Sequence, residues 1–189
     1  ATLARITEGR EDRNVYDLTL EQIKKFDIGS WFDHTFSGET IPTLEEVLKI
    51  AKGTALMIEI KEGLESSEEM VSSILKVLKT TDSNHKFLKF GSFSLPLIQE
   101  LMKKAPKLNV LGIAEELGNI EGFLDLGLNH IALWYKLIDT DLIHMLHQKG
   151  IDVWTFTVDE PEIARFLITL SIQGIITNQP RRMRNHINS

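Results

Sequence analysis

The sequence contains no cysteine, which excludes a disulfide framework, a thiolate metal centre and a thiol nucleophile. No apolar run approaches the roughly 18 residues that a membrane-spanning helix needs, and the first residues, ATLARITEGRED, lack the apolar core of a signal peptide. A formal net charge of -6 offers no broad attraction for nucleic acid or anionic lipid. The one basic cluster, Arg181, Arg182 and Arg184, reads as a solvated tail. Gly-rich phosphate loops, Ser-nucleophile elbows and zinc motifs are also missing, which argues against the common kinase, hydrolase and dehydrogenase chemistries. The absence of cysteine fits a reducing compartment, so a cytoplasmic address is the expectation.

What is present is an ordinary globular composition, 189 residues with 42% hydrophobic and 25% charged, and the expectation is one domain over residues 1–189. TLEQIKKF and TLEEVLKIAK each begin with Thr followed three residues later by Gln22 or Glu46. That is the pattern of a capping box, in which the Thr oxygen and the N3 side chain satisfy orphan amides at a helix start. The stretch DIGSWFDHTFSGETIP between them has no period and reads as an ordered loop.

From ALMIEIK (55–61) onward, short apolar runs alternate with amphipathic stretches. The runs are FLKFGSF (87–93), NVLGIAE (109–115), HIALWY (130–135), IDVWTFTV (151–158) and GIIT (174–177). Gly150 fits a helix C′ position, and Asp159 with Glu162 fits a further capping box. This alternation predicts right-handed βαβ units and an α/β fold with at least five parallel strands.

In a parallel barrel, chemistry gathers at the C-terminal strand ends. The rule selects Glu59, Lys61, Phe93, Glu115, Trp154 and Asn178. Side chains two apart on a strand point the same way, so Glu59 and Lys61 share one face and Ile58 and Ile60 the other. The competing reading of Glu59 and Lys61 is an exposed ion pair, and that of Trp154 is an aromatic of the core. His144 and His147 lie three apart on a helix with no carboxylate at ligand spacing, and read as a solvated face; His34 falls in a loop.

Several runs, in order, resemble the glycerophosphodiester phosphodiesterases. LARITEGREDRNVYDLTLEQIKKFDIGSWF is similar to that family's Leu-x-Arg-x-Thr, "DLTL" and "GSWF" stretch, and SGETIPTLEEVL to its "GE-x-IPTLEEVL" run. MIEIK matches its "IEIK" strand, GSF its "SSF" strand end, DVWTFTVDEPE its "VWTVN" strand and GIITNQP its "GIITD-x-P" ending. The resemblance implies a TIM (β/α)8 barrel whose first three strands lie outside this chain. It also implies hydrolysis of glycerophosphodiesters to an alcohol and glycerol phosphate, with a divalent cation, Mg²⁺ or Ca²⁺, as cofactor. Carried over residue by residue, Glu59 is a metal ligand, Lys61 faces the substrate phosphate, and Trp154 and Phe93 line the substrate pocket. The family's "HRG", "E-x-D" and "HD" segments match nothing here, so no catalytic histidine is expected within the chain. Three positions depart from the pattern: Gly91 for serine, Asp159 for asparagine and Asn178 for aspartate. The reading from another class is a non-catalytic barrel remnant that binds a ligand or partner.

Overall fold

A computed structural model describes residues 2–81 and 85–187. It divides into two compact units, Ala1–Thr54 with Gly63–Asn84, and Ala55–Glu62 with His85–Ser189.

Among its described residues the first unit holds three α-helices, α1 (Leu20–Ile23), α2 (Leu44–Ile50) and α3 (Ser67–Thr80). Both expected capping boxes form, at Thr19 with Gln22 and at Thr43 with Glu46, and a third forms at Ser66 with Glu69. Lys24 also binds Glu46, and together with the Thr43 contacts it holds that carboxyl at a pKa of about 2. The aperiodic loop is ordered by Asp27, whose carboxylate accepts bonds from the Gly29, Ser30 and Gly38 amides and from the Ser30 hydroxyl. Those four donors hold its pKa far below the usual carboxylate range. His34 opens a short 3-10 turn (His34–Phe36) on the surface.

The second unit carries six parallel strands in one sheet with sequential order: β1 (Leu56–Glu59), β2 (Leu88–Ser92), β3 (Asn109–Ala114), β4 (His130–Trp134), β5 (Asp152–Phe156) and β6 (Gly174–Ile175). Among the described residues the sheet curls as a half-barrel of six strands, one more than the five left if three of a TIM barrel's eight lie outside the chain. The helices α4 (Leu95–Lys104), α5 (Leu117–Asp125), α6 (Thr140–Gln148), α7 (Pro161–Thr169) and α8 (Pro180–Ile187) follow the strands in alternation. Among the described residues no helix is long and apolar enough to cross a membrane.

Strand alternation sorts the side chains into two layers. Phe90, Ile131 and Val153 are fully buried, as are Leu97, Ile98 and Leu101 of α4, which packs on β2 and β3. On the concave face Leu111, Ile113 and Ala132 form a cluster against which Met57, Trp154 and Phe156 pack. Gly112 lets α5 approach β3 closely, since a Cβ there would lie 2.6 Å from the Phe123 ring.

Two local expectations are corrected. Residues 181–184 are not a tail: they lie in α8, where Met183 is 3% exposed and joins Val158, Ala164 and Leu167 in a core cluster. Met183 is the buried residue of α8, and the three arginines around it stay solvated. Nor does Asp159 cap α7. The N-cap is Glu160, with no side-chain cap bond and Pro161 in the first turn, because the Asp159 carboxylate is engaged by Thr177 and Asn178. Gly150 does take the left-handed conformation, with φ of 72°, directly after the C-cap Lys149 of α6.

Candidate functional site

Glu59 closes β1 two residues after Met57, so it continues the concave face on which Met57 meets the Leu111 cluster. Lys61 is two further on, and its Nζ donates to Glu59 Oε1 at 2.6 Å. The intervening Ile60 points the other way and is buried. This strand end is anchored by β2: the Ile60 amide donates to the Gly91 carbonyl at 2.7 Å, and the buried Ser92 hydroxyl donates to the Ile60 carbonyl at 2.7 Å. Ser92 Oγ also accepts the Ser94 amide, which sets the start of α4.

The anchored segment lines a cavity of about 390 Å³ at the C-terminal ends of β1 and β2, with Glu59, Lys61, Glu62, Phe93 and Asn119 among its walls. Glu59 keeps 31% of its side chain exposed and Lys61 70%. The pair is thus open to an incoming ligand, and its mutual contact is of the weak, solvent-screened kind. Phe93 stands edge-on to Phe156, with ring centres 5.9 Å apart at 89°. Of the residues singled out from sequence, Glu59, Lys61 and Phe93 therefore share one cavity. The cavity's other polar members, Glu62, Ser92, Ser94 and Asn119, were not read from sequence; Glu62 adjoins a selected residue, but Asn119 comes from α5 and arrives only through tertiary packing.

Trp154 lies elsewhere. It lines a separate cavity of about 370 Å³ with Met57, Phe87, Lys89 and Asn109, on the side of the N-terminal strand ends. Its ring rests against Gly174, and Lys89 Nζ sits 4.5 Å from the ring centre. Nearby, His130 Nε2 is 3.0 Å from Asp152 Oδ2. Burial lowers the pKa of His130, aided by the charge of Lys89 and opposed by Asp152; burial likewise lowers that of Lys89. A clue to this trio lay in the polar residues near the starts of otherwise apolar strands, Lys89 in β2, His130 in β4 and Asp152 in β5.

Glu115 is exposed beyond β3, and Asn178 binds Asp159 rather than entering the Glu59 cavity. His144 contacts Gln148, and His147 contacts Gln173, both on solvated helix surface. At Gly91, where the resemblance leads one to expect serine, a Cβ would lie 3.0 Å from Ile113 Cδ1, so the isoleucine takes up space on that face. The described residues contain no group of three His, Cys, Asp or Glu side chains able to cage a metal ion. Glu59 is one oxygen donor for a hard cation, and such ions take about six or more oxygen ligands; the described residues alone do not complete a site.

The chain is 31% identical to the glycerophosphodiester phosphodiesterase of Caldanaerobacter subterraneus subsp. tengcongensis over 97% of its length and 76% of the relative's. It is 27% identical to the glycerophosphodiester phosphodiesterase of Bacillus subtilis, covering 88% of this chain and 63% of that one. A phosphodiesterase of Oleispira antarctica, solved with its product sn-glycerol-3-phosphate, superposes with a TM-score of 0.89 at 24% identity, over 100% of this chain and 77% of the other. Residues 1–182 match the glycerophosphoryl diester phosphodiesterase family, and the chain belongs to that family.

Proposed function

We propose that this chain supplies part of the site with which a protein also carrying the family's acid–base histidines hydrolyses glycerophosphodiesters to an alcohol and glycerol phosphate, the phosphate being received at Lys61 and a divalent cation, Mg²⁺ or Ca²⁺, at Glu59. One observation carries the reading: a carboxylate and an ammonium 2.6 Å apart at the mouth end of β1, inside a cavity large enough for a small diester. A hard cation bound there would neutralise charge developing on phosphorus. Lys61 adds a fixed positive charge toward the non-bridging oxygens, and Phe93 offers an apolar edge to the alcohol portion. Family membership supports the substrate class, as does the sn-glycerol-3-phosphate held by the Oleispira relative.

The family's two acid–base histidines match no position of this sequence, and among the described residues no histidine lines the Glu59 cavity. General acid–base groups must lie within hydrogen-bond reach of the reacting atoms, and losing one costs about 10² to 10⁴ in rate. The 189-residue chain by itself is therefore proposed to be inactive, with the activity belonging to a protein that also carries those residues. The test is glycerol phosphate release from glycerophosphocholine with added Mg²⁺ or Ca²⁺, by this chain and by a protein with the family's two histidines. Turnover by the longer protein alone supports the reading; metal-dependent turnover by the 189-residue chain overturns it.

A further inference from the structure

The loop that Asp27 orders turns two neighbouring aromatic rings to solvent. Phe32 is 71% exposed and Phe36 46%, with ring centres 5.9 Å apart at 49°, and Trp31 stands 5.9 Å from Phe32 at 71°. A single exposed apolar residue needs no explanation, whereas adjoining ones mark a binding surface. The backbone presents them rigidly. The Phe32 amide donates to the Gly29 carbonyl at 2.9 Å and the Phe36 amide to the Asp33 carbonyl at 3.0 Å, and a Cβ on Gly29 would overlap the Phe36 carbonyl. Charge is arranged around the rings as well. The Arg5 guanidinium carbon lies 4.9 Å from the centre of the Trp31 ring. Asp33 Oδ1 accepts the Thr35 amide and hydroxyl, both at 2.8 Å, which lowers its pKa and keeps it ionised. Residues 27–42 hold three carboxylates, Asp27, Asp33 and Glu39, and no lysine or arginine.

We propose that Phe32 and Phe36, together with Asp33, form a site for a trimethylammonium group of the kind choline carries. A ring face attracts a cation placed within about 6 Å of its centre, and Arg5 on Trp31 is one ring of this loop already so occupied. A quaternary ammonium suits the two free rings better than an ammonium or guanidinium does. Its methyl groups cover apolar ring surface, and it has no N–H donors that would lose their hydrogen bonds on leaving water. The loop carboxylates disfavour an anionic ligand, and a purely apolar one would cover the Asp33 charge without compensating it. The group can come from a soluble choline compound or from a phosphatidylcholine surface. The loop belongs to the first compact unit and the Glu59 cavity to the second, so the proposal goes beyond the phosphodiesterase reading, and none of its readouts is activity.

The test is NMR titration of the full chain with choline, with its neutral carbon isostere dimethylbutanol, and with phosphatidylcholine vesicles. Choline should shift the Phe32 and Phe36 ring signals saturably, its own methyl protons should move upfield under the ring currents, and the isostere should bind several-fold more weakly. Saturable binding of vesicles with none of free choline assigns the group to a lipid headgroup, and binding of free choline assigns it to a soluble compound; either result supports the site. Phe32→Leu and Phe36→Leu keep an apolar side chain and remove the ring face, so each should weaken binding about two- to fivefold, the usual worth of an exposed cation–π contact. Asp33→Asn keeps an acceptor oxygen for Thr35 and should weaken binding while flattening its dependence on salt. The comparison of choline with its isostere on the unaltered chain does not depend on how the variants fold. Equal affinity for the charged and neutral compounds, no saturable shift with either choline source, or full affinity in the Phe32→Leu, Phe36→Leu double variant would overturn the site.

Discussion

Replacing Gly174 with alanine separates the two readings of Trp154 that the sequence leaves open. A Cβ on Gly174 would stand 2.7 Å from two atoms of the Trp154 ring and 2.8 Å from a third. Those are atoms of a rigid indole on the paired strand, Trp154 being the register partner of Gly174, so the ring or the strand must move. Overpacking of this kind costs about 1–3 kcal/mol. Alanine in a strand returns roughly 0.5–1 kcal/mol through reduced chain entropy. The net expectation is a loss of about 1–2 kcal/mol, and with a urea slope near 2 kcal/mol/M the midpoint should fall by about 0.5–1 M. In a Trp154→Leu background, where the ring is gone, the same Gly174→Ala change should cost little, leaving a coupling energy of opposite sign to the single loss. Urea unfolding followed by far-UV circular dichroism reads all four proteins. An unchanged midpoint for Gly174→Ala with Trp154 present would mean the indole is free to swing, as a pocket-lining ring could, and would refute its placement against β6.

His130 is held toward its neutral form among Asp152, Lys89 and Asn129. The unfolded chain therefore binds its proton more readily, and this contribution to stability, full above about pH 6.5, should be lost as pH falls below that value. A urea midpoint that stays flat from pH 7 to 5, once compared with a His130→Asn control, would contradict this. Lys89→Met keeps an apolar stem over Trp154 but removes the charge, so the His130 pKa should rise in an NMR titration; a fall or no change counts against the contact. Thr43→Ala removes the cap of α2 and should cost about 1 kcal/mol in unfolding free energy, whereas a neutral result would mean that the Lys24–Glu46 contact alone fixes that helix start.

Much of the fold was legible because its signals are local. Six apolar runs bounded by amphipathic stretches gave the strands, and Thr19 and Thr43 with their N3 partners marked two helix starts. The shared face of Glu59 and Lys61 followed from strand alternation alone. Where reading failed, the deciding partner was distant in sequence. Asp159 has the local form of a cap, but Thr177 and Asn178 compete for it from the next strand end. The arginines of 181–184 read as a tail until Met183 meets the Val158 cluster. Trp154 and Phe156 share a face at i and i+2, yet only the second contacts Phe93, because two steps along β5 carry it about 6–7 Å nearer the C-terminal strand ends.

The claim that Glu59 serves as a ligand at the mouth of β1 is tested most directly by calorimetric titration of Mg²⁺ and Ca²⁺ into the complete, active protein and its Glu59→Gln variant. Glutamine preserves the volume and one oxygen but removes the charge, and a hard cation depends on that charge. The account predicts weaker binding of the ion together with a parallel loss of glycerol phosphate release. Equal affinity for the ion in the two proteins, with unchanged metal dependence of activity, would contradict it and return Glu59 and Lys61 to the status of an exposed ion pair.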